Sequence, residues 1–141
     1  MELQQLYTTA GKENIPIYRR NLPLTRSMSV QLEGTCAIAM DPAVCDGGVL
    51  ERTHLSHELG HCVTGSFYNV YASHDLRRKH ENRADKWAVE ALIPATMLDE
   101  AIARGYTELW ELAEYFGVTE RFMRKAVCYH VHGNTATELY F

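Results

Sequence analysis

Residues 57–61 read HELGH, an H-E-x-x-H motif within a stretch whose apolar residues recur with helical spacing. Residues i and i+4 of a helix differ by only about 40° around its axis, so the rings of His57 and His61 can reach one metal ion. Glu58 is rotated by about 100° from His57, and from there its carboxylate can reach a water at that metal. The motif therefore predicts a metal site with a general base beside it.

The stretch around the motif, from about residue 49 to 63, has two different faces. Leu55, Leu59 and Cys62 share one face, which predicts that this side packs into the core. His54 joins the two motif histidines on the opposite face, which must line a cleft or face solvent. We expect His54 to be a buried, hydrogen-bonded histidine; contact with a substrate or with a ligand carboxylate is the alternative.

A second long helix is predicted from Ser73, a suitable N-cap, to Ile93, where Pro94 ends it. Glu81 and Asp85 lie in the middle of its stripe of small and apolar residues. A buried carboxylate costs several kcal/mol unless a cation or a hydrogen-bond donor compensates it. We therefore predict Glu81 as the third metal ligand and Asp85 as the acceptor that orients a ligand histidine. The alternative is a solvated charge pair that faces inward by chance.

This set of residues indicates a reaction as well as a site. Three protein ligands leave one position of a tetrahedral Zn²⁺ for water, as in catalytic rather than structural zinc sites. Glu58 would take a proton from that water as it attacks a polarised carbonyl, and would pass the proton to the leaving amine. The sequence therefore predicts a zinc-dependent hydrolase that acts on peptide bonds.

The composition is that of an ordinary globular protein. The chain has 141 residues, of which 46% are hydrophobic, and a formal net charge of −4. Disorder, a strongly basic nucleic-acid-binding surface and a membrane span are therefore not expected, and neither is a signal peptide. We expect one cytoplasmic domain over residues 1–141. The four cysteines show no C-x-x-C pair, so we expect free thiols.

The order of predicted elements indicates an α+β fold. Residues 1–48 are expected to form a short helix and the strands of a small antiparallel sheet, residues 49–93 the two zinc-site helices, and residues 94–141 a helical segment. The predicted strands are 15–18, 28–32 and 36–40, with a tight turn at Glu33-Gly34.

Two segments resemble the ImmA/IrrE family of zinc metallopeptidases. The matching stretches are residues 53–61 (THLSHELGH), 81–88 (ENRADKWA) and 91–94 (ALIP), and the similarity covers about residues 12–127. It implies a gluzincin-like site and a zincin-like helical domain. The family's pattern assigns His57, His61 and Glu81 as metal ligands and Glu58 as the base.

The resemblance also implies a substrate. Members of this family are typically encoded in phages and mobile elements and cut a repressor of the helix-turn-helix type. Some carry their own N-terminal DNA-binding module, for which residues before Ile15 offer no room, so we expect the repressor to be a separate protein. The alternative is a metal-containing module that binds a repressor or another protein partner without cutting it.

The remaining signals are weaker. Residues 112–123 have the spacing of a helix-turn-helix, with Arg121, Arg124 and Lys125 available to phosphates, but four glutamates surround them and we do not expect DNA binding. Residues 128–132 (CYHVH) could form a second metal cluster, although their alternation fits a strand or an ordered tail equally well. Three side chains could stabilise an oxyanion, and the sequence does not choose among them: Tyr68, Tyr71 and His80.

Overall fold

The fold of the chain, taken from a computed structural model, is described for residues 1–69 and 71–137. It is α+β, with a three-stranded mixed sheet beside a helical body. The last four residues of the predicted C-terminal segment lie outside this description. The helices are α1 (Leu3–Lys12), α2 (Val49–Thr64), α3 (His74–Leu92), α4 (Ala95–Ala103), α5 (Leu109–Phe116) and α6 (Glu120–His132); the strands are β1 (Ile17–Arg19), β2 (Ser27–Leu32) and β3 (Thr35–Met40).

Capping side chains mark the start of two helices, and a proline follows the end of one of them. The Ser73 hydroxyl accepts a hydrogen bond from the Leu76 amide at the start of α3, and Thr119 does the same for the Phe122 amide at the start of α6. Such caps satisfy backbone donors that have no partner within the helix. Pro94 follows the end of α3, as predicted.

The expectation of an antiparallel sheet is wrong for one of its two strand pairs. β2 and β3 form an antiparallel hairpin through Glu33-Gly34, but β1 pairs with β3 in parallel, so the strand order is β1-β3-β2. β3 is the central strand, so both of its edges are paired, one with β1 and the other with β2. It carries Ile38 and Met40, which are fully buried. β1 lies on the far side of β3 from the hairpin partner β2, and there it runs parallel to β3. β2 remains an edge strand.

A close contact between α2 and α3 sets the geometry of the site. A Cβ atom added to Gly60 would lie 2.4 Å from the backbone oxygen of Ala84 and 2.9 Å from its Cα. Only a glycine on α2 and a small residue on α3 allow the two backbones to approach so closely. The contact lies between the motif histidines on α2 and the two acidic residues on α3.

The core surrounds the buried face of α2. Leu55 and Leu59 are fully buried, as their helical spacing predicts. They pack in a cluster that also contains side chains from the sheet, α1, α3 and α6: Leu6, Ile38, Met40, Val89, Leu92, Phe122 and Met123. None of the described helices has the length and the apolar character that a membrane crossing requires.

The expectation of four free thiols is wrong for two of the cysteines. Cys36 of β3 and Cys62 of α2 form a disulfide, with their Cα atoms 5.7 Å apart. Cys62 is therefore not simply a core side chain, and it is only half-buried. The two residues are 26 positions apart in the chain, so local spacing does not reveal the pair. The packing of the sheet on α2 brings them together.

In the C-terminal segment, α5 and α6 are joined by a short turn; α6 packs against α3, and the end of α5 lies against α2. Arg52 of α2 donates from Nη1 to the carbonyls of Phe116 and Gly117, which end α5. Residues 128–132 belong to α6, so a strand or tail at this position is excluded. The His130 ring donates from Nε2 to the Ile93 carbonyl at 2.7 Å.

Candidate metal centre

His57, His61 and Glu81 converge at one point between α2 and α3. The Nε2 atoms of His57 and His61 lie 2.9 Å and 3.2 Å from the same carboxylate oxygen of Glu81, and one ligand atom from each of the three residues falls within 4.8 Å of the others. Two imidazole nitrogens and a carboxylate oxygen form a donor set that suits zinc. Among the described residues, no second group of this kind is found, which argues against a metal cluster at residues 128–132.

The other ring nitrogen of each histidine is held by a hydrogen bond. Nδ1 of His57 lies 2.8 Å from Oδ1 of Asp85, and Nδ1 of His61 lies 2.6 Å from the backbone oxygen of Ser66. Because a carbonyl and a carboxylate are acceptors, both Nδ1 atoms carry a proton, and each Nε2 is left as the nitrogen that can bind a metal once its own proton is displaced. This is the orientation required of ligand histidines.

Lys125 of α6 completes the surroundings of Asp85. Its Nζ lies 3.0 Å from Oδ2 of Asp85, while Oδ1 of the same carboxylate contacts His57. Asp85 is 5% exposed, so both oxygens need partners. A chain of contacts therefore runs from the C-terminal segment through Asp85 to His57.

Glu58 is buried and hydrogen-bonded by a residue of the edge strand. The Ser27 hydroxyl lies 2.7 Å from Oε2 of Glu58 and 2.8 Å from Nδ1 of His54. With Glu58 ionised, the single hydroxyl proton points to the carboxylate, and His54 donates its Nδ1 proton to the hydroxyl oxygen. His54 is hydrogen-bonded, as expected, but it is only half-buried and it lines the cleft described below.

The electrostatics of the centre favour positive charge on the histidines and negative charge on the acids. Burial opposes protonation of His57, but the hydrogen bonds to Asp85 and Glu81 outweigh it and raise the pKa of His57 to about 10. The pKa of His61 is also raised, since the hydrogen bonds to Glu81 and Ser66 outweigh the effect of burial.

The two carboxylates respond in the opposite sense. Burial alone would raise the pKa of Glu81 and of Asp85, but the hydrogen bonds from the histidines lower both. A cluster that holds protonated histidines against two carboxylates is also suited to a divalent cation, which would replace the protons.

His57, His61 and Glu81 are called the triad below. Of the three residues considered for stabilising an oxyanion, Tyr68 is the one that contacts a member of the triad. Its hydroxyl donates to Oε1 of Glu81 at 2.7 Å. Burial and this hydrogen bond raise the pKa of Tyr68 to about 12. Tyr71 is 93% exposed, and His80 contacts the Tyr68 ring. The observed role of Tyr68 is to hold Glu81.

A cleft of about 720 Å³ surrounds these residues, and three parts of the chain form its walls. β2 contributes residues 27–29, α2 and α3 contribute the triad and Glu58, and α6 contributes Arg121 and Lys125. The volume lies within the range of roughly 300–1,000 Å³ that is common for ligand sites. Two of the three basic residues considered for phosphate contact thus face this cleft.

Sequence reasoning missed three groups that support the centre: the Ser27 hydroxyl, the Ser66 carbonyl and Lys125. No local pattern marks the first two, because any serine in a strand or a turn looks the same in sequence. For Lys125 the sequence indicates only a phosphate contact. Lys125 lies on α6, three helices after the helix that carries Asp85, so no local spacing reveals this pair.

Comparison with known proteins is consistent with this geometry. The family model Peptidase_M78, described as the IrrE N-terminal-like domain, matches residues 50–127, which are 78 of the 141 residues. The matched range includes nearly all of α2, the whole of α3 and most of the C-terminal segment. No curated protein matches the chain. Because the match covers more than half of the sequence and confirms the resemblance stated above, the chain belongs to the IrrE N-terminal-like peptidase family.

Proposed function

We propose that this protein is a zinc-dependent endopeptidase. The observation that carries the proposal is the convergence of His57, His61 and Glu81 in the same cleft as the buried Glu58. The donor set fits zinc, and membership in a peptidase family supports hydrolysis of peptide bonds. When bound, zinc would polarise a peptide carbonyl and acidify a water molecule at this site.

The side chains of the protein supply the remaining chemistry. Glu58 takes the proton of the attacking water and passes it to the nitrogen of the leaving amine. Ser27 holds one oxygen of Glu58, so the second oxygen is the one that handles the proton. Asp85 and the Ser66 carbonyl keep the ligand histidines in the required tautomer.

The edge strand β2 is suited to hold an extended substrate. One of its sides is unpaired within the sheet, and its residues 27–29 line the cleft. A peptide segment that adds to β2 as a further strand would receive backbone hydrogen bonds along its length. This mode of binding requires an unfolded or extended segment, which restricts cleavage to exposed loops of a folded protein.

We further propose that the substrate is a separate helix-turn-helix repressor of a phage or mobile element, cut in the cytoplasm. The support for this step is the family resemblance. The proposal treats residues 1–141 as one metallopeptidase domain, because the cleft takes walls from all three predicted segments, 1–48, 49–93 and 94–141.

The experiment compares the wild-type protein with the Glu58→Gln variant. Each is incubated with an extract of the cells that naturally encode it, and new protein N-termini are labelled and identified by mass spectrometry. We expect new termini within one repressor for the wild type and none for the variant. Termini in another protein would reject the repressor but keep the peptidase. If both samples give the same termini, the peptidase is rejected.

Metal analysis tests the centre separately. The wild type and Glu58→Gln should each contain one zinc per chain, whereas His57→Ala and Glu81→Ala should lose it. Stoichiometric zinc in Glu81→Ala would move the third ligand elsewhere. A zinc protein that captures a partner but cuts nothing would support the non-cleaving module instead.

A further inference from the structure

A second cavity lies on the outward face of the C-terminal segment. It has a volume of about 300 Å³ and shares no lining residue with the cleft of the metal centre. Four of its residues belong to α5, and one lies in the loop before it. The lining consists of Tyr106, Trp110, Glu111, Glu114 and Tyr115.

The aromatic part of this cavity is exposed to solvent. Trp110 is 57% exposed, and Tyr106 and Tyr115 are 37% and 38% exposed. The two tyrosine rings contact each other, with centroids 4.8 Å apart. Exposed tryptophan and tyrosine grouped in this way are typical of binding surfaces, because each offers a large apolar area with little conformational entropy to lose.

The orientation of this face is set by the core. The opposite side of α5 buries three side chains in the hydrophobic cluster: Leu112, Ala113 and Phe116. Rotating the helix to hide Trp110 would expose these three apolar side chains to water, which is unfavourable. The aromatic cavity is therefore a fixed feature of the surface.

Charge distinguishes this cavity from a simple apolar groove. Glu111 and Glu114 line it, and neither carboxylate takes part in an ion pair or a hydrogen bond with any residue that the structure describes. No lysine or arginine lines the cavity. The faces of aromatic rings are themselves electronegative, so all five side chains favour a cation.

We propose that this cavity, named the α5 pocket, binds the arginine side chain of a protein partner. A guanidinium group is planar, stacks on aromatic rings and pairs with carboxylates, so it matches both parts of the lining. A neutral apolar ligand would cover Glu111 and Glu114 without compensating them. The small volume of the pocket suits one side chain rather than a large ligand.

The α5 pocket does not rest on the proposed peptidase activity, because it shares no residue with the metal centre. An arginine-bearing partner bound there would be held by α5 whether or not the protein cleaves anything. The pocket should work in the metal-free protein and in Glu58→Gln as well as in the wild type.

The test is a titration followed by NMR. The sequence has two tryptophans, so a ¹⁵N-labelled sample gives two indole signals, and Trp110→Phe identifies that of Trp110. The probe is the peptide acetyl-Gly-Gly-Arg-Gly-Gly-amide, and its matched control carries citrulline, which has nearly the same shape without the charge. We expect the arginine peptide to shift the Trp110 signal saturably, with a Kd of about 1 mM, and the citrulline peptide to bind at least about fivefold more weakly.

Two variants decide the role of the carboxylates. The double variant Glu111→Gln/Glu114→Gln should weaken arginine binding at least about fivefold, whereas Glu108→Gln, which alters a charge beside the pocket without lining it, should change binding less than twofold. Equal binding of the two peptides would show a site without charge selectivity and overturn the proposal. The absence of any saturable shift of the Trp110 signal would also overturn it.

Discussion

Glu58 depends on a single hydroxyl group for its position. Ser27 donates to Oε2 of Glu58 and accepts from His54, so removal of this hydroxyl leaves a buried carboxylate with one donor fewer. An unsatisfied group of this kind costs about 1–3 kcal/mol. The hydroxyl also belongs to β2, the strand that we propose to bind the substrate, so Ser27 connects the proposed base, Glu58, to the proposed substrate-binding strand.

We expect Ser27→Ala to lower kcat about tenfold with KM little changed, because Glu58 is then free to rotate away from the attacking water. The rate is measured on the substrate identified by N-terminal labelling, and zinc content is measured in parallel and should be unchanged. Ser27→Thr, which keeps the hydroxyl, should restore most of the activity.

The matched control is Ser56→Ala. Ser56 is a fully buried residue on the same helix as Glu58, and within residues 1–69 and 71–137 its hydroxyl donates only to the Thr53 carbonyl. If both variants lose activity equally, the effect of Ser27→Ala reflects general destabilisation and not the position of Glu58.

Asp85 accepts a hydrogen bond from Nδ1 of His57, on the side of the ring away from Glu81. We expect Asp85→Asn to weaken zinc binding about 10- to 100-fold, the usual effect of removing a carboxylate that supports a ligand histidine. Zinc affinity is measured by competition with a chromogenic chelator. Asp75→Asn changes an exposed carboxylate in the first turn of the same helix and should leave the affinity unchanged. Unaltered affinity in Asp85→Asn would reject the supporting role.

Helices α2 and α3 bring His57, His61 and Glu81 to one point because their backbones nearly touch. Gly60 meets the Ala84 backbone, so a methyl group at position 60 must push the helices apart. Backbone atoms have no alternative rotamer, and the strain spreads along both helices.

We expect Gly60→Ala to lower the free energy of unfolding by about 1–3 kcal/mol, as other insertions into packed contacts do, and to weaken zinc binding through the displaced Glu81. Urea denaturation and chelator competition measure the two effects. Gly11→Ala is the control, because a Cβ atom there meets nothing within 4 Å and alanine favours the helix. Equal or greater stability in Gly60→Ala would show that α2 and α3 can separate at no cost.

At the scale of the whole molecule, the centre couples stability to pH. In the metal-free protein the pKa of His57 is about 10, raised above its ordinary value of 6.5. A raised folded-state pKa contributes stability that is fully present below the unfolded pKa and is lost as the pH rises through the folded value. The metal-free protein should therefore lose stability between about pH 6.5 and pH 10.

Urea denaturation of the metal-free protein at pH 6, 8 and 10 measures this loss. His57→Gln is the control, since it removes the titrating group, and its stability should fall less over the same range. Glu81 and Asp85 have lowered pKa values, so their contribution is lost only in acid, below the window in question. A wild-type decline no steeper than that of His57→Gln would reject the coupling.

Local sequence patterns were sufficient for the helices and for part of the candidate site. A helical period is a property of neighbouring residues, so it placed His57 and His61 on one face and Glu81 with Asp85 on another. The cap at Ser73 acts within a few residues, and it is predicted for the same reason. The roles of these residues in binding metal and in catalysis remain predictions that the experiments above address.

The sequence by itself determined the helices, the tight turn at Glu33-Gly34 and the face of α2 that meets the core. The tertiary structure alone decided the parallel pairing of β1, the Cys36–Cys62 disulfide, and the contacts of Ser27 with Glu58 and of Lys125 with Asp85. The disulfide and the Ser27 contact join residues 26 and 31 positions apart. Such pairs form because whole helices and strands pack in one arrangement. The free energy that stabilises this arrangement comes from contacts throughout the core, so no short stretch of sequence predicts the pairs.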